Sequence, residues 1–189
     1  MKYFFILPYI LFVFFSCKEN KKTEKKAEKK DHDKYINVFD YLKGQLAHID
    51  TVPYGILNIR LKDTTTIDSV YIDAKQLRAM VQPFLDAELK EDYFNEYFTQ
   101  TAFGDATIGT VTVSYFNTVE KDPVQRIDIY ANPTTGDINK VYILKNESEN
   151  SNSAKKQLLW TQNQGFSIIE AILGDDGLES TITNKVILQ

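Results

Sequence analysis

Helical spacing of apolar residues marks the segment 35–50. Its apolar side chains recur every three or four positions, at Ile36, Phe39, Leu42, Leu46 and Ile49. That period places them on one face of a helix. A second helix is predicted to begin after Asp73, because aspartate is a favoured N-cap residue. Pro83 interrupts this helix, which predicts a kink or a new helix with Pro83 in its first turn.

The segment 91–98 contains a dense aromatic cluster. Tyr93, Phe94, Tyr97 and Phe98 are spaced by one, three and four positions, so a helix would place them on one face. Two interpretations remain open. The cluster forms a lid over the core with its tyrosine hydroxyls at the rim, or it lines a groove for an apolar or sugar ligand.

Alternating patterns predict strands in the rest of the chain. In 56–62, Leu57, Ile59 and Leu61 point to one side and polar residues to the other, as in a half-buried strand. This strand is predicted to form a hairpin with 69–72. From residue 110 onward the pattern is β throughout. Six further strands are predicted, over 110–116, 126–130, 138–145, 157–162, 166–173 and 182–188.

The connections between these strands are too short for crossover helices, which predicts that neighbours pair antiparallel as a meander. The predicted fold class is therefore α+β. An antiparallel sheet of about six strands, together with the N-terminal hairpin, carries two to three N-terminal helices on one face. The opposite face is predicted to be an exposed binding surface, with Tyr130, Tyr142 and Trp160 as its aromatic residues.

Charge separates the predicted domain, residues 35–189, from the segment before it. The domain has 13 Lys and Arg against 21 Asp and Glu, a formal charge of −8. Nucleic acids demand clusters of Lys and Arg, so this balance argues against a nucleic-acid partner. Residues 18–34 instead contain eight Lys against five acidic residues and no large apolar residue. Such a segment buries too little surface to fold, and we expect a disordered tether there.

The first 17 residues have the organisation of an export signal. A basic residue is followed by an almost wholly apolar run over 3–15, shorter than the roughly 20 residues that span a bilayer. Ser16 then precedes Cys17, the only cysteine in the chain. The four residues that end at Cys17 resemble the lipobox of bacterial lipoprotein signal peptides, with Phe14 and Phe15 where Leu and a small residue are commoner. An ordinary signal peptide with an incidental cysteine is the alternative.

The resemblance implies that residues 1–16 are a signal peptide that is removed, and that Cys17 becomes the lipidated first residue. An aromatic lipobox before a Lys-rich leader is similar to lipoproteins of the Bacteroidota. In some bacteria an Asp after the cysteine retains a lipoprotein in the inner membrane. Lys18 stands there, which favours the outer membrane of the cell envelope. Acyl chains, at ~0.8 kcal/mol per buried methylene, would make the attachment stable and leave no thiol for disulfides, catalysis or metal binding.

No catalytic motif is recognised in the predicted domain, which has one histidine and no nucleophile-elbow, zinc or phosphate-loop pattern. We therefore predict no enzyme, no cofactor and no metal site. The first hypothesis is a non-catalytic envelope lipoprotein whose tethered domain binds a protein or glycan of the envelope. The alternative is a carrier of lipid or another small apolar ligand, with a cavity between sheet and helices. A hydrolase that uses carboxylates is third, with candidates at Glu88, Glu91, Asp92 and Glu96.

Overall fold

Nine β-strands form one sheet in the computed structural model, which describes residues 36–85, 89, 91–149, 152–173 and 179–189. The predicted signal peptide, Cys17 and the predicted tether lie outside the described residues. The strands are β1 Ile56–Lys62, β2 Thr65–Tyr71, β3 Phe98–Asp105, β4 Thr110–Asn117, β5 Val124–Ala131, β6 Ile138–Glu149, β7 Asn152–Thr161, β8 Gly165–Leu173 and β9 Glu179–Leu188.

Neighbouring strands are antiparallel throughout, in the order β2-β1-β9-β8-β7-β6-β5-β4-β3. Strands β3 to β9 run as a meander, and the β1–β2 hairpin joins the same sheet because β1 pairs with β9. The predicted α+β class and the antiparallel pairing are confirmed. The predicted strand number was wrong, because the described chain has nine strands where about six and a hairpin were expected.

Strand β3 is the one that the sequence pattern did not reveal. Of its eight residues, Phe98 is buried and the following six are exposed. A strand that is exposed on both faces has no alternating hydrophobic pattern by which it could be recognised. Phe98 was assigned to the preceding helix, which ends at Tyr97 instead.

The helices begin and end close to the predicted positions. They are α1 Val38–Thr51, α2 Ala74–Met80, a short 3-10 helix Gln82–Phe84 with Pro83 in its first turn, and α3 Glu91–Tyr97. Asn37 caps α1, since its side chain accepts a hydrogen bond from the N–H of Asp40 at 2.9 Å. Asp73 is the N-cap of α2, as predicted, and forms a reciprocal capping box with Gln76.

The helices cover one face of the sheet, which we call the helix face, and form the hydrophobic core with it. Phe84 packs edge-on against Trp160 and Phe166, with ring centroids 5.5 and 5.4 Å apart. The hydroxyl of Tyr41 on α1 donates a hydrogen bond to the carbonyl of Ile138 on β6 at 2.9 Å. Buried strand residues of this face include Val113, Tyr115, Ile127, Ile129, Val141, Ile143, Leu158, Trp160, Phe166, Ile168 and Val186.

Strand β1 turns its apolar side to the other face of the sheet. Asn58 is paired with Val186, which lies on the helix face. Leu57, Ile59 and Leu61 therefore point away from the helices, where they are half-buried. The predicted alternation of β1 is confirmed, and the tertiary structure decides which of its sides faces the helices.

Candidate binding surface

We call the other face of the sheet the open face. The described helices pack on the helix face and leave this one uncovered. Directly opposed residues of paired strands point to the same face, so the strand register assigns side chains to it. One row crosses the open face from β3 to β7. It consists of Thr101, Ser114, Asp128, Tyr142 and Leu159.

Asp128 lies in the middle of this row, and only 2 % of its surface is exposed. Arg126, two residues earlier on β5, points to the same face. Its Nε donates a hydrogen bond to Asp128 Oδ1 at 2.9 Å, and the two side chains are 44 % and 3 % exposed. The guanidinium therefore compensates the buried carboxylate while part of it stays in contact with solvent.

One aromatic ring lies against this ion pair, and a second exposed ring lies further along the same face. The guanidinium of Arg126 lies over the ring of Phe116, its Cζ 5.2 Å from the ring centroid. Phe116 is 38 % exposed, and Phe103 on strand β3 is 68 % exposed. Register places both rings on the open face, opposite Arg126 and Thr112 respectively. Exposed rings beside fixed polar groups are typical of surfaces that bind other molecules.

Tyr130 and Tyr142 border Asp128, the first along β5 and the second on the paired strand β6. Burial is the main cause that raises the pKa of both phenols, the charge of Asp128 raises it further, and Arg126 opposes this in part. Both phenols are thus protonated at neutral pH and can donate hydrogen bonds. We call Phe116, Arg126, Asp128, Tyr130 and Tyr142 the Asp128 surface.

A cleft of about 320 Å³ lies next to the Asp128 surface, and most of its lining residues point to the open face. Leu159, which is paired with Tyr142, is one of its lining residues. The others are Thr161, Gln164, Gly165, Phe166, Ser167, Lys185, Val186 and Ile187. This mixture of aliphatic carbons, hydroxyls and one ammonium group suits a ligand with polar and apolar parts.

The structure separates the three aromatic residues that were predicted to share the exposed face. Tyr130 and Tyr142 lie on the open face, where they were predicted. Trp160 is only 1 % exposed and is paired with Val141 on the helix face, so its predicted exposure is corrected. The cause is its position in β7: Leu158 and Trp160 point inward together, and Leu159 between them points outward.

The cluster of 91–98 is divided between the core and its rim. Phe94 stacks on Phe98 with centroids 4.4 Å apart and packs edge-on against Tyr115 at 4.7 Å. Tyr93 and Tyr97 are half-buried at the rim, and the Tyr93 hydroxyl donates a hydrogen bond to the carboxylate of Asp122. This arrangement corresponds to the lid interpretation. A ligand-binding role for the four residues stays a prediction.

The carboxylates considered for hydrolysis are only partly described. Glu88 and the side chain of Glu91 lie outside the described residues, whereas Asp92 and Glu96 are exposed on α3. Within the described ranges, no three His, Cys, Asp or Glu side chains come together as a metal site. No helix in that part of the chain is long and apolar enough to cross a membrane.

Comparison of the chain with protein-family models, with curated proteins and with solved structures found no match. The alternating pattern of the predicted strand 126–130 places Arg126, Asp128 and Tyr130 on one side of that strand, and the structure confirms this. It grouped Tyr142 with Tyr130, but it did not reveal that Phe116 would join them or that Tyr142 would lie directly opposite Asp128. These two residues reach the site from neighbouring strands, and a single-strand pattern carries no information on register between strands.

Proposed function

We propose that the chain is a non-catalytic lipoprotein of the cell envelope and that its domain binds another envelope component through the Asp128 surface. The single observation that carries the proposal is the gathering of solvent-reaching aromatic and guanidinium groups around a nearly buried carboxylate. A partly buried ion pair gives little net stability compared with apolar packing, so its presence on an open face favours a role in recognition.

The chemistry of this surface suits a protein or a glycan. Phe116 and the guanidinium of Arg126 offer flat faces for stacking, and the phenols of Tyr130 and Tyr142 offer donors. The ion pair is internally compensated, so the surface does not demand a strongly charged ligand. The acidic domain also supports a partner other than nucleic acid.

The anchor completes the proposal. Cys17 would carry acyl chains that hold the protein at the outer membrane, and residues 18–34 would give the domain reach from the bilayer surface. The positive charge of this tether would strengthen contact with anionic lipids. The membrane is thus one partner, bound through lipid, and the envelope component is the other.

A carrier of a small amphiphilic ligand is the second candidate, and the cleft beside the Asp128 surface favours it. A carrier was expected to hold its ligand in a cavity between the sheet and the helices, but this cleft lies elsewhere. Phe84, Trp160 and Phe166 fill the middle of that space with contacting rings. Native mass spectrometry of the full chain distinguishes the two functions, since a carrier retains a bound lipid and a binding domain does not.

The proposal is tested with the full chain in its own envelope. The double variant Tyr130→Ser/Tyr142→Ser removes both rings and leaves the ion pair in place. We expect in-cell crosslinking to the partner to fall at least about tenfold, as a loss of more than 1.4 kcal/mol of binding requires. Cosedimentation with purified envelope glycan, run beside the crosslinking, shows which class of partner is lost.

Tyr71→Ser is the matched control. Tyr71 is 65 % exposed and lies on the open face, but on edge strand β2 at the far end of the sheet. It should leave partner capture unchanged. Equal losses in the control and in the double variant, or no loss in either, would remove the Asp128 surface from the proposal.

A further inference from the structure

The two edges of the sheet differ in how well they are protected against pairing with another strand. Along an antiparallel strand, successive residues direct their N–H and C=O groups alternately towards and away from the partner strand. Next to β2, the N–H of Ile72 donates to the carbonyl of Ile56 and so points towards β1. The N–H of Ser69, three residues earlier, therefore points away from β1. That outward N–H is already bonded to the carboxylate of Asp68 at 2.8 Å. The β1–β2 register also shifts between Arg60 and Leu61. A charged side chain that occupies an outward N–H group and a bulge in the strand both hinder pairing with a further strand.

Strand β3, the opposite edge, has neither device. It pairs with β4 over eight residues without a register shift. The N–H of Thr118 donates to the carbonyl of Tyr97 at 2.8 Å, so the backbone groups of Tyr97 point towards β4. By the same alternation, Gln100, Ala102 and Gly104 direct their N–H and C=O groups away from β4, to the outside of the sheet. Residues 99–104 are all exposed, and Asp105 at the end is the only charged residue of the strand. A long, regular and uncharged edge is a template for strand addition.

We propose that β3 pairs with β3 of a second copy of this chain, antiparallel and centred on Thr101. This register sets Thr101 against the partner's Thr101 in a pair without mutual backbone hydrogen bonds. Gln100 and the partner's Ala102 exchange backbone hydrogen bonds, as do Phe98 and the partner's Gly104. The two sheets become one, and both open faces lie on the same side.

Three features of β3 fit a second copy. Large residues meet small ones in this register, since Phe103 lies opposite the partner's Thr99 and Phe98 opposite the partner's Gly104. The domain as a whole is acidic, but this register sets no like charges against each other, because Asp105 lies opposite the partner's Tyr97. An isologous β3–β3 contact also closes the assembly at a dimer, whereas the protected β2 edge prevents further growth.

The pairing has a consequence for the open face. The exposed ring of Phe103 would lie beside the partner's Thr99, whose neighbour on β4 is Phe116 of the Asp128 surface. A dimer would therefore present two Asp128 surfaces side by side, facing one direction. The inference does not depend on the proposed function, because the dimer and partner capture are measured separately.

Cysteine crosslinking in the full chain tests the register. The β-carbons of a directly opposed pair lie ~4.5–5.5 Å apart, close enough for a disulfide after a small adjustment. Under mild oxidation, Thr101→Cys should give a covalent dimer of twice the chain mass. Ser69→Cys on the protected β2 edge is the matched control and should give no covalent dimer under the same oxidation, and neither should the wild-type chain, whose single cysteine is Cys17.

A second variant tests the backbone bonds. Ala102→Pro removes an outward N–H and leaves the inward bonds of β3 to β4 intact. We expect it to raise the dimer Kd in sedimentation at least about tenfold, because two symmetric hydrogen bonds are lost. Ser69→Pro, which removes the corresponding donor of β2, should not change the Kd. If Ala102→Pro does not fold, Thr101→Lys replaces it, because it sets two like charges against each other.

A monomeric wild-type chain at tens of micromolar, or equal crosslinking through Thr101→Cys and Ser69→Cys, overturns the proposal. A crosslinked product with the mass of a different protein also overturns it, and would show that β3 accepts a foreign strand.

Discussion

At the scale of single residues, one glycine is required by a close approach between two backbones. Gly165 begins β8 with a φ of +123°, in a region that favours glycine. A β-carbon there would overlap the carbonyl oxygen of Val186 on β9 and lie 2.9 Å from its carbonyl carbon. Real side chains do not tolerate such a contact, so the β8–β9 pairing requires glycine at this place.

We predict that Gly165→Ala lowers the free energy of unfolding by about 3 kcal/mol or more, from backbone strain and displacement of β9. Urea unfolding measures this, and Trp160 is a suitable probe because it is the only tryptophan and is 1 % exposed. Gly44→Ala is the matched control. A methyl group at Gly44 on α1 would have no atom within 4 Å, so this change should stabilise by about 0.5–1 kcal/mol. Similar effects at both glycines would contradict the argument.

At the scale of elements, the pattern of single strands and helices was informative wherever one side of an element was buried. Helix α1 showed its period through Leu42 and Ile49, and β5 through Ile127 and Ile129, all buried in the same core. Strand β3 was not predicted, because its exposed residues show no hydrophobic alternation. The side of β1 that faces the helices was undetermined, since a single-strand pattern does not say which face of the sheet the helices cover.

The docking of α1 on the sheet gives a prediction on pH. Burial raises the pKa of Tyr41 to about 12, from 10.0, and its hydroxyl donates to Ile138 on β6. Above pH 10 the unfolded chain ionises first, so the stability from this group is complete below pH 10 and is lost as the pH rises to about 12. Tyr41→Phe should cost about 1 kcal/mol at neutral pH and make this alkaline loss shallower.

Urea unfolding at several pH values from neutral to alkaline measures both effects. Tyr71→Phe, at an exposed ring, shows whether loss of any tyrosine hydroxyl has the same consequence. An unchanged alkaline slope in Tyr41→Phe would assign the loss of stability to other groups. Tyr115, whose pKa is also raised by burial, is the next candidate.

At the scale of the whole molecule, location is predicted to depend on one atom, the sulfur of Cys17. Acylation of this residue would hold the chain at a membrane, and the described helices offer no transmembrane segment as a substitute. We predict that Cys17→Ala moves the protein from the membrane fraction to the soluble fraction of the envelope. Cell fractionation measures this, and Ser16→Ala, which keeps a small residue before the cysteine, is the control. A membrane-bound Cys17→Ala variant would point to an anchor elsewhere.

The sequence by itself determined the α+β class, the antiparallel pairing of neighbouring strands and the resemblance to a lipoprotein signal, because each depends on local patterns of polarity, turns and charge. Only the tertiary structure decided that Trp160 is buried, that β3 forms an edge, and that Phe116 and Tyr142 meet Arg126 and Asp128. The physical reason is register. Hydrogen bonds between strands bring together residues far apart in the chain, and the free energy that selects one register comes from packing across the whole sheet.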